Sequence, residues 1–244
     1  MRNPDRQTVF RFKRFDISNS LSAMKVGTDG VLLGAWCGSG LEGESSPNSI
    51  LDIGCGTGLI ALMAAQRFPD AHIDAVDIDP SAVAEARFNS VNSPYDSRIT
   101  VTETDILDYN AVKKYDLVVC NPPFFTETVK APDRARALAR TEGTLSVKSL
   151  LRIAAGLLNP CGALAIVAPA DRDSEIEFEA SLAKMYVVRK CSVKTVESRP
   201  PRRTLWEFSP AARPSQKSTI IINSIGGGYS PQYIELVKDF YINL

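Results

Sequence analysis

Apolar positions along the chain follow two rhythms that take turns. Residues 49–53 (SILDI), 73–77 (IDAVD), 99–103 (ITVTE), 115–120 (YDLVVC) and 163–168 (ALAIVA) are short apolar or alternating runs, the pattern of strands. Between them, residues 57–67, 80–92 and 146–158 repeat apolar side chains at helical spacing. Pro80 sits where a first helical turn accepts proline, and Ser146 is placed as an N-cap. Asn159-Pro160-Cys161-Gly162 predicts a turn into the strand at 163–168. A helix over 173–184 and a strand over 186–193 follow. The β-rich runs 204–208 and 218–223 come next, and the first is expected to pair with the second as a hairpin across 210–214. An amphipathic helix over 231–240 closes the pattern.

Strands alternating with helices predict an α/β fold: a mostly parallel, seven-stranded sheet with helices on both faces, spanning 49–244. Residues 1–48 read as an extension made of a hairpin and a helix, with Thr28-Asp29 as the helix start and 30–36 as its apolar body. The Gly-, Ser- and Glu-rich stretch 38–48 reads as the loop joining this extension to the main body, the two forming one unit. Ligands of such sheets lie outside the carboxyl ends of the strands.

Composition removes several function classes. No run of about 18 apolar residues is present, so no membrane span is expected. The start MRNPDR lacks the apolar stretch of a secretory signal. The five cysteines are scattered without a CxxC pair, as reduced and mostly buried thiols of a cytoplasmic protein are. With His72 the single histidine, neither a zinc site nor a His-based nucleophilic triad is expected, and no metal. Net charge is zero, yet residues 41–110 carry twelve acidic and three basic side chains, and residues 184–217 nine basic and two acidic. That asymmetry fits either a local polyanion contact or a solvated basic face.

The run Asp52-Ile53-Gly54-Cys55-Gly56-Thr57-Gly58 follows a strand and opens a helix, where glycines let the backbone turn tightly and approach a ligand. Its spacing is GxGxG, not the GxGxxG of dinucleotide folds. Asp52, directly before it, disfavours a pyrophosphate and suits a cationic cofactor. Asp77 ends the next strand, where doubly wound folds bind ribose hydroxyls, while Asp79-Pro80 reads as a helix cap. Asp105 follows the third strand and is placed to accept a hydrogen bond from an adenine amine. These residues resemble the S-adenosylmethionine site of Rossmann-like class I methyltransferases, over roughly 49–168.

Asn121-Pro122-Pro123-Phe124 follows the fourth strand. Two prolines stiffen the backbone and remove two donors, leaving carbonyl acceptors. The Asn121 side chain and the Pro122 carbonyl can accept both hydrogens of an exocyclic amine, drawing its lone pair out of conjugation, and Phe124 can stack on a planar base, an interaction worth ~1–3 kcal/mol. A sulfonium methyl needs no strong base, so catalysis is positioning, which can supply ~7–11 kcal/mol. The tetrapeptide resembles the signature of methyltransferases acting on adenine N6, glutamine amides and guanine N2.

Phe10-Arg11-Phe12-Lys13-Arg14-Phe15, the run from Ala23 to Trp36 (AMKVGTDGVLLGAW), Tyr229-Ser230-Pro231-Gln232-Tyr233 and Lys238-Asp239-Phe240-Tyr241 resemble the bacterial tRNA-valine adenine-N6 methyltransferases, nearly end to end. The resemblance implies S-adenosylmethionine as cofactor and, as substrate, the adenine 3′ of the anticodon of a valine tRNA. No membrane or obligate protein partner is implied. Thr28 and Asp29 then either cap the cofactor's methionine end or belong to a helix that only packs. Arg134, Arg136 and Arg140 after the tetrapeptide, and Arg199, Arg202 and Arg203 around Pro200-Pro201, are expected to hold RNA phosphates. Phe125 is either a second wall for the base or core. The rival chemistries are methylation of a protein glutamine, as on release factors, and guanine-N2 methylation of ribosomal RNA. A non-catalytic RNA-binding module of the same fold is the rival from another class.

Overall fold

The computed structural model describes residues 9–22, 26–39, 46–122 and 145–244. In chain order the strands are β1 (Val9–Arg11), β2 (Asp16–Ser18), β3 (Ser49–Ile53), β4 (His72–Asp77), β5 (Ile99–Glu103), β6 (Tyr115–Cys120), β7 (Leu158–Pro169), β8 (Tyr186–Lys194), β9 (Arg203–Ser209) and β10 (Gln216–Ile221). The helices are α1 (Thr28–Trp36), α2 (Leu59–Arg67), α3 (Pro80–Val91), α4 (Val147–Leu157), α5 (Asp173–Leu182) and α6 (Pro231–Val237).

Eight strands form one sheet in the order β10-β8-β9-β7-β6-β3-β4-β5. All neighbours are parallel except the two pairs made by β9, which runs against both β7 and β8. The mostly parallel α/β sheet is the one expected, with one strand more than seven, because β10 is added at the edge beside β8. The expected hairpin between 204–208 and 218–223 does not form. β9 lies between β7 and β8, and β10 pairs in parallel with β8 from Gln216↔Arg189 to Ile221↔Lys194. Burial explains this: Leu205, Trp206 and Phe208 are fully buried, which only an interior slot allows, whereas the first four residues of β10 are exposed. A second difference concerns Asn159-Pro160-Cys161-Gly162. These residues are extended as the start of β7, with a register irregularity opposite Tyr115 and Leu117, rather than turned.

Side chains alternate along the strands and feed two apolar layers. Leu117 and Val119 of β6, Ala163, Ala165 and Val167 of β7, and Leu205 of β9 face α1, α2 and α6. Val118, Cys120, Leu164, Ile166, Trp206 and Phe208 face α4 and α5. The amino-terminal hairpin forms as expected, with Phe10 opposite Ile17. It belongs to the first layer: Phe12, Phe15 and Ile17 are buried there, Phe12 stacks on Tyr241 at 6.0 Å, and the Lys13 N–H donates to the Phe240 carbonyl at 2.8 Å. Four of the five thiols are buried, and Cys161 is exposed. Among the described residues no helix is long and apolar enough to cross a membrane.

Candidate active site

β3 ends at Ile53, and the chain then passes through Gly54, Gly56 and Gly58 at φ of 68°, 55° and 79°. Side chains other than hydrogen are strained in this left-handed region. The loop is pinned to β4: the Gly54 and Cys55 N–H groups donate to the Val76 carbonyl at 2.8 and 3.0 Å, and Gly56 N–H donates to Asp77 Oδ2 at 2.8 Å. Gly58 opens α2 without a side chain to cap it. Asp52, one strand position before Ile53, supplies the missing acceptor, with Oδ2 taking the Ala61 N–H at 3.0 Å.

Asp52 therefore stands behind the loop, 1% exposed, and not on the cavity wall. Its Oδ1 has no partner among the described residues. Burial pushes its carboxyl up to about 7; the Ala61 bond opposes the shift, and the nearby Asp77 adds to it.

Asp77 carries two local bonds at once. Oδ2 holds Gly56, and Oδ1 accepts from the Asp79 N–H at 2.9 Å. Asp79 caps α3, accepting from Ser81 N–H at 2.9 Å, the role its place before Pro80 predicts. The tips of β4 and β5 are joined by Thr104 N–H to the Asp77 carbonyl at 3.0 Å. Asp105 follows β5, its Oδ1 accepting from Leu107 N–H at 2.9 Å. Asn121 and Pro122 leave the tip of β6. α1 approaches closely there: a Cβ on Gly30 would lie 3.9 Å from Asn121 Nδ2 and 3.1 Å from Leu59 Cδ2.

One cavity of about 890 Å³ gathers these groups. Gly54, Gly56, Asp77, Asp105, Thr28, Asp29, Asn121, Pro122 and Arg203 all line it; Asp52 and Gly58 do not. Phe124, Phe125, Arg134, Arg136 and Arg140 lie outside the described residues. Arg203 reaches the cavity because β9 is reversed, so its first residue, opposite Pro169, lies at the carboxyl end of β7. Its Nε donates to Asp29 Oδ2 at 2.8 Å. Arg199 and Arg202 sit in the turn between β8 and β9, with no carboxylate in ion-pair range among the described residues.

Sequence reasoning missed the clasp that holds the amino-terminal segment over the glycine loop. Glu85 of α3 is 2% exposed; Oε1 accepts from Ser20 N–H and Leu21 N–H at 2.5 and 2.9 Å, and Oε2 from Ser22 N–H at 2.8 Å. One turn on, Asn89 exchanges bonds with both backbone groups of Ser18 and donates to the Thr57 carbonyl at 2.9 Å. Ser22 and Thr57 both line the cavity. The available signal was Glu85 and Asn89, four apart, on a buried helix stripe otherwise made of Ala82, Val83, Ala86 and the small Ser90.

The sequence profile of the methyltransferase small domain family matches residues 39–194. The chain is 45% identical over 242 residues to a protein of Porphyromonas gingivalis named tRNA1(Val) (adenine(37)-N6)-methyltransferase, covering 96% of this chain and 94% of that one. A protein of the same name from Trichodesmium erythraeum is 42% identical over 237 residues, covering 96% and 97%. Among solved structures, a predicted O-methyltransferase of Agrobacterium tumefaciens superposes with a TM-score of 0.67 at 17% identity, over 89% of this chain and all of that one, a likeness of fold.

Proposed function

The chain belongs to the methyltransferase small domain family and to the group of tRNA1(Val) (adenine(37)-N6)-methyltransferases within it, and from that we propose that it methylates the N6 amine of adenine 37, the base 3′ of the anticodon, in a valine tRNA of the cytoplasm. The observation carrying this reading is that Asn121 and Pro122 open into the same cavity as the glycine loop, Asp77 and Asp105.

The residues present fit S-adenosylmethionine. A Cβ on Gly54 would meet nothing within 4 Å, so the loop backbone faces open space that a ligand can fill. Asp77 ends β4, Asp105 follows β5, and a third carboxylate, Asp52, backs the loop, an acceptor set suited to hydroxyls, an amine and positive charge. When bound, that cofactor supplies an electrophilic methyl group on a sulfonium leaving group.

The chain's own residues do the rest. Asp77 accepts from ribose hydroxyls while its bonds to Gly56 and Asp79 hold it in place. Asp105 accepts from the adenine amine of the cofactor. Gly56 brings the backbone close to the ligand, and Asp52 and Gly58 shape the loop from behind. Thr28, with α1, covers the methionine end. The Asn121 side-chain oxygen and the Pro122 carbonyl accept the two hydrogens of the target amine and aim its lone pair at the methyl group. Phe124 is assigned, from its place in the motif, to stack on the target base. Arg199 and Arg202, together with Arg134, Arg136 and Arg140, hold the RNA phosphates. An anticodon loop is single-stranded at its tip, so its base can be splayed out at modest cost.

The test is methyl transfer from labelled S-adenosylmethionine to total tRNA lacking the modification, with nucleosides read by mass spectrometry. N6-methyladenosine at position 37 of one valine tRNA is the expected product. Label on a protein glutamine or on ribosomal RNA instead would keep the chemistry of Asn121 and Pro122 and discard the substrate.

A further inference from the structure

α1 packs over α2 and β7 and is tied to β9 at both ends. At the cavity mouth, Arg203 of β9 binds Asp29 in the first turn of α1, Nε to Oδ2 at 2.8 Å. At the far end, Glu207 of β9 accepts from the Gly38 N–H, just past α1, at 2.6 Å, and pairs with Arg189 at 3.0 Å. The Arg189 guanidinium also lies 4.0 Å over the Trp36 ring. Between the two ends Leu205 is fully buried in the layer that holds Val31, Leu33 and Trp36.

From Asp29 to Trp36 α1 advances ~10 Å at about 1.5 Å per residue, and Cys37 and Gly38 carry the chain past its end. From 203 to 207 a strand advances ~13 Å at about 3.3 Å per residue.

The two ends differ in what backs them. Glu207 is buried and bonded twice. The Asp29–Arg203 pair is more than a third exposed on each side, and the N-cap residue of α1, Gly27, has no side chain to cap it. Arg203 is steadied by Nη1 donating to the Arg202 carbonyl at 3.1 Å, and Asp29 favours the positive end of the helix. Gly30, the next residue, is the one whose Cβ would lie 3.9 Å from Asn121 Nδ2.

Resting on the methyltransferase reading above, we propose that Arg203 is a positioning residue: through Asp29 it holds the first turn of α1 against Asn121 and so fixes the wall beside the acceptor of the target amine. This separates Arg203 from Arg199 and Arg202. A guanidinium whose charge is already met by a carboxylate makes a weak phosphate clamp, whereas those two arginines have no carboxylate in ion-pair range among the described residues.

The experiment uses Asp29→Asn, Arg203→Ala, their double variant and Arg203→Lys, with steady-state kinetics on tRNA. Both single variants are expected to lower kcat roughly tenfold, a modest share of what misplacing a reacting group can cost, with KM for tRNA nearly unchanged. The double variant is expected to be no worse than Arg203→Ala alone, and Arg203→Lys to recover most of the rate. If Arg203 instead holds a phosphate, Arg203→Ala raises KM while kcat stays, and Asp29→Asn lowers KM by freeing the guanidinium; that pair of results overturns the proposal. Hydrogen exchange of the amides at 31–33, measured without substrate, is expected to quicken in both single variants. Unchanged exchange overturns the positioning role even if no RNA is methylated, whereas faster exchange with no transfer to tRNA by the parent protein indicts the substrate assignment instead.

Discussion

At the tips of β3, β4 and β5 the cavity wall is backbone and carboxylate: Gly54 and Gly56, then Asp77, then Asp105, each at the carboxyl end of its own strand. At the tips of β7, β9 and β8 the wall and its surroundings turn basic, with Arg203 on the cavity and Arg199 and Arg202 in the adjoining turn. The first half suits a ligand rich in hydroxyls and positive charge; the second suits a polyanion. They are also built differently. In the acidic half every group is fixed by hydrogen bonds to its sequence neighbours or the adjacent strand. In the basic half the decisive residue arrives on a reversed strand and is fixed by a helix 174 positions away in the chain.

Asn121 stands where the halves meet, and its loss is expected to be the costliest. Asn121→Ala should lower the single-turnover rate by about 10²–10³-fold, the range for removing one preorganised hydrogen-bonding group, while affinity for S-adenosylhomocysteine stays nearly intact. A variant turning over at the parental rate would remove Asn121 from the chemistry.

Asp77→Ala probes the acidic half. It should weaken cofactor binding by roughly 1–3 kcal/mol, read by calorimetric titration, and lower Tm as well, since the Gly56 and Asp79 N–H groups lose their acceptor. Unchanged affinity would move the ribose contact to another carboxylate.

The double variant Arg199→Ala/Arg202→Ala probes the basic half. The slope of log K for tRNA against log salt should flatten by roughly 0.7 for each single-strand phosphate that is no longer neutralised. A slope equal to that of the parent would reduce this turn to a solvated face.

The smallest effect expected is one of pH. Asp52, pushed up to about 7 by burial, holds its proton more tightly folded than unfolded. The fold therefore binds the extra proton from the ordinary carboxylate range up to about 7, so stability is greatest below that window and falls as pH rises through it. Glu207, also raised by burial, acts in the same direction. Urea midpoints of the free protein should be lower at pH 8 than at pH 5, and Asp52→Asn should narrow the gap; an equal gap in the variant would mean that other groups set it.

The same division explains what could be read from the sequence. Glycines 54, 56 and 58, Asp77, Asp79 and Ser146 act through bonds to residues a few positions away or on the next strand, so local spacing announces them. Asp52 adjoins the glycines, which points to the cofactor; its bond to Ala61, across the loop, makes it a helix cap as well. The path of β9 was not legible. Two β-rich runs separated by a short Pro-containing link read as a hairpin, and the charge of Glu207 hides the continuous burial of 204–209 that marks an interior strand. Glu85 and Asn89 escape notice because their partners are backbone groups more than thirty or sixty residues away.

The ties between α1 and β9 at both ends limit how this protein can change in length. One residue added to α1 turns everything after it by about 100° and advances it by about 1.5 Å, carrying Gly38 away from Glu207. One residue added to β9 sends Leu205 and Glu207 to the opposite face of the sheet. Neither element tolerates an insertion or deletion by itself, so the two are a gauge that must be inherited or engineered together. The link between β9 and β10, which touches neither end of that gauge, is where grafted residues belong.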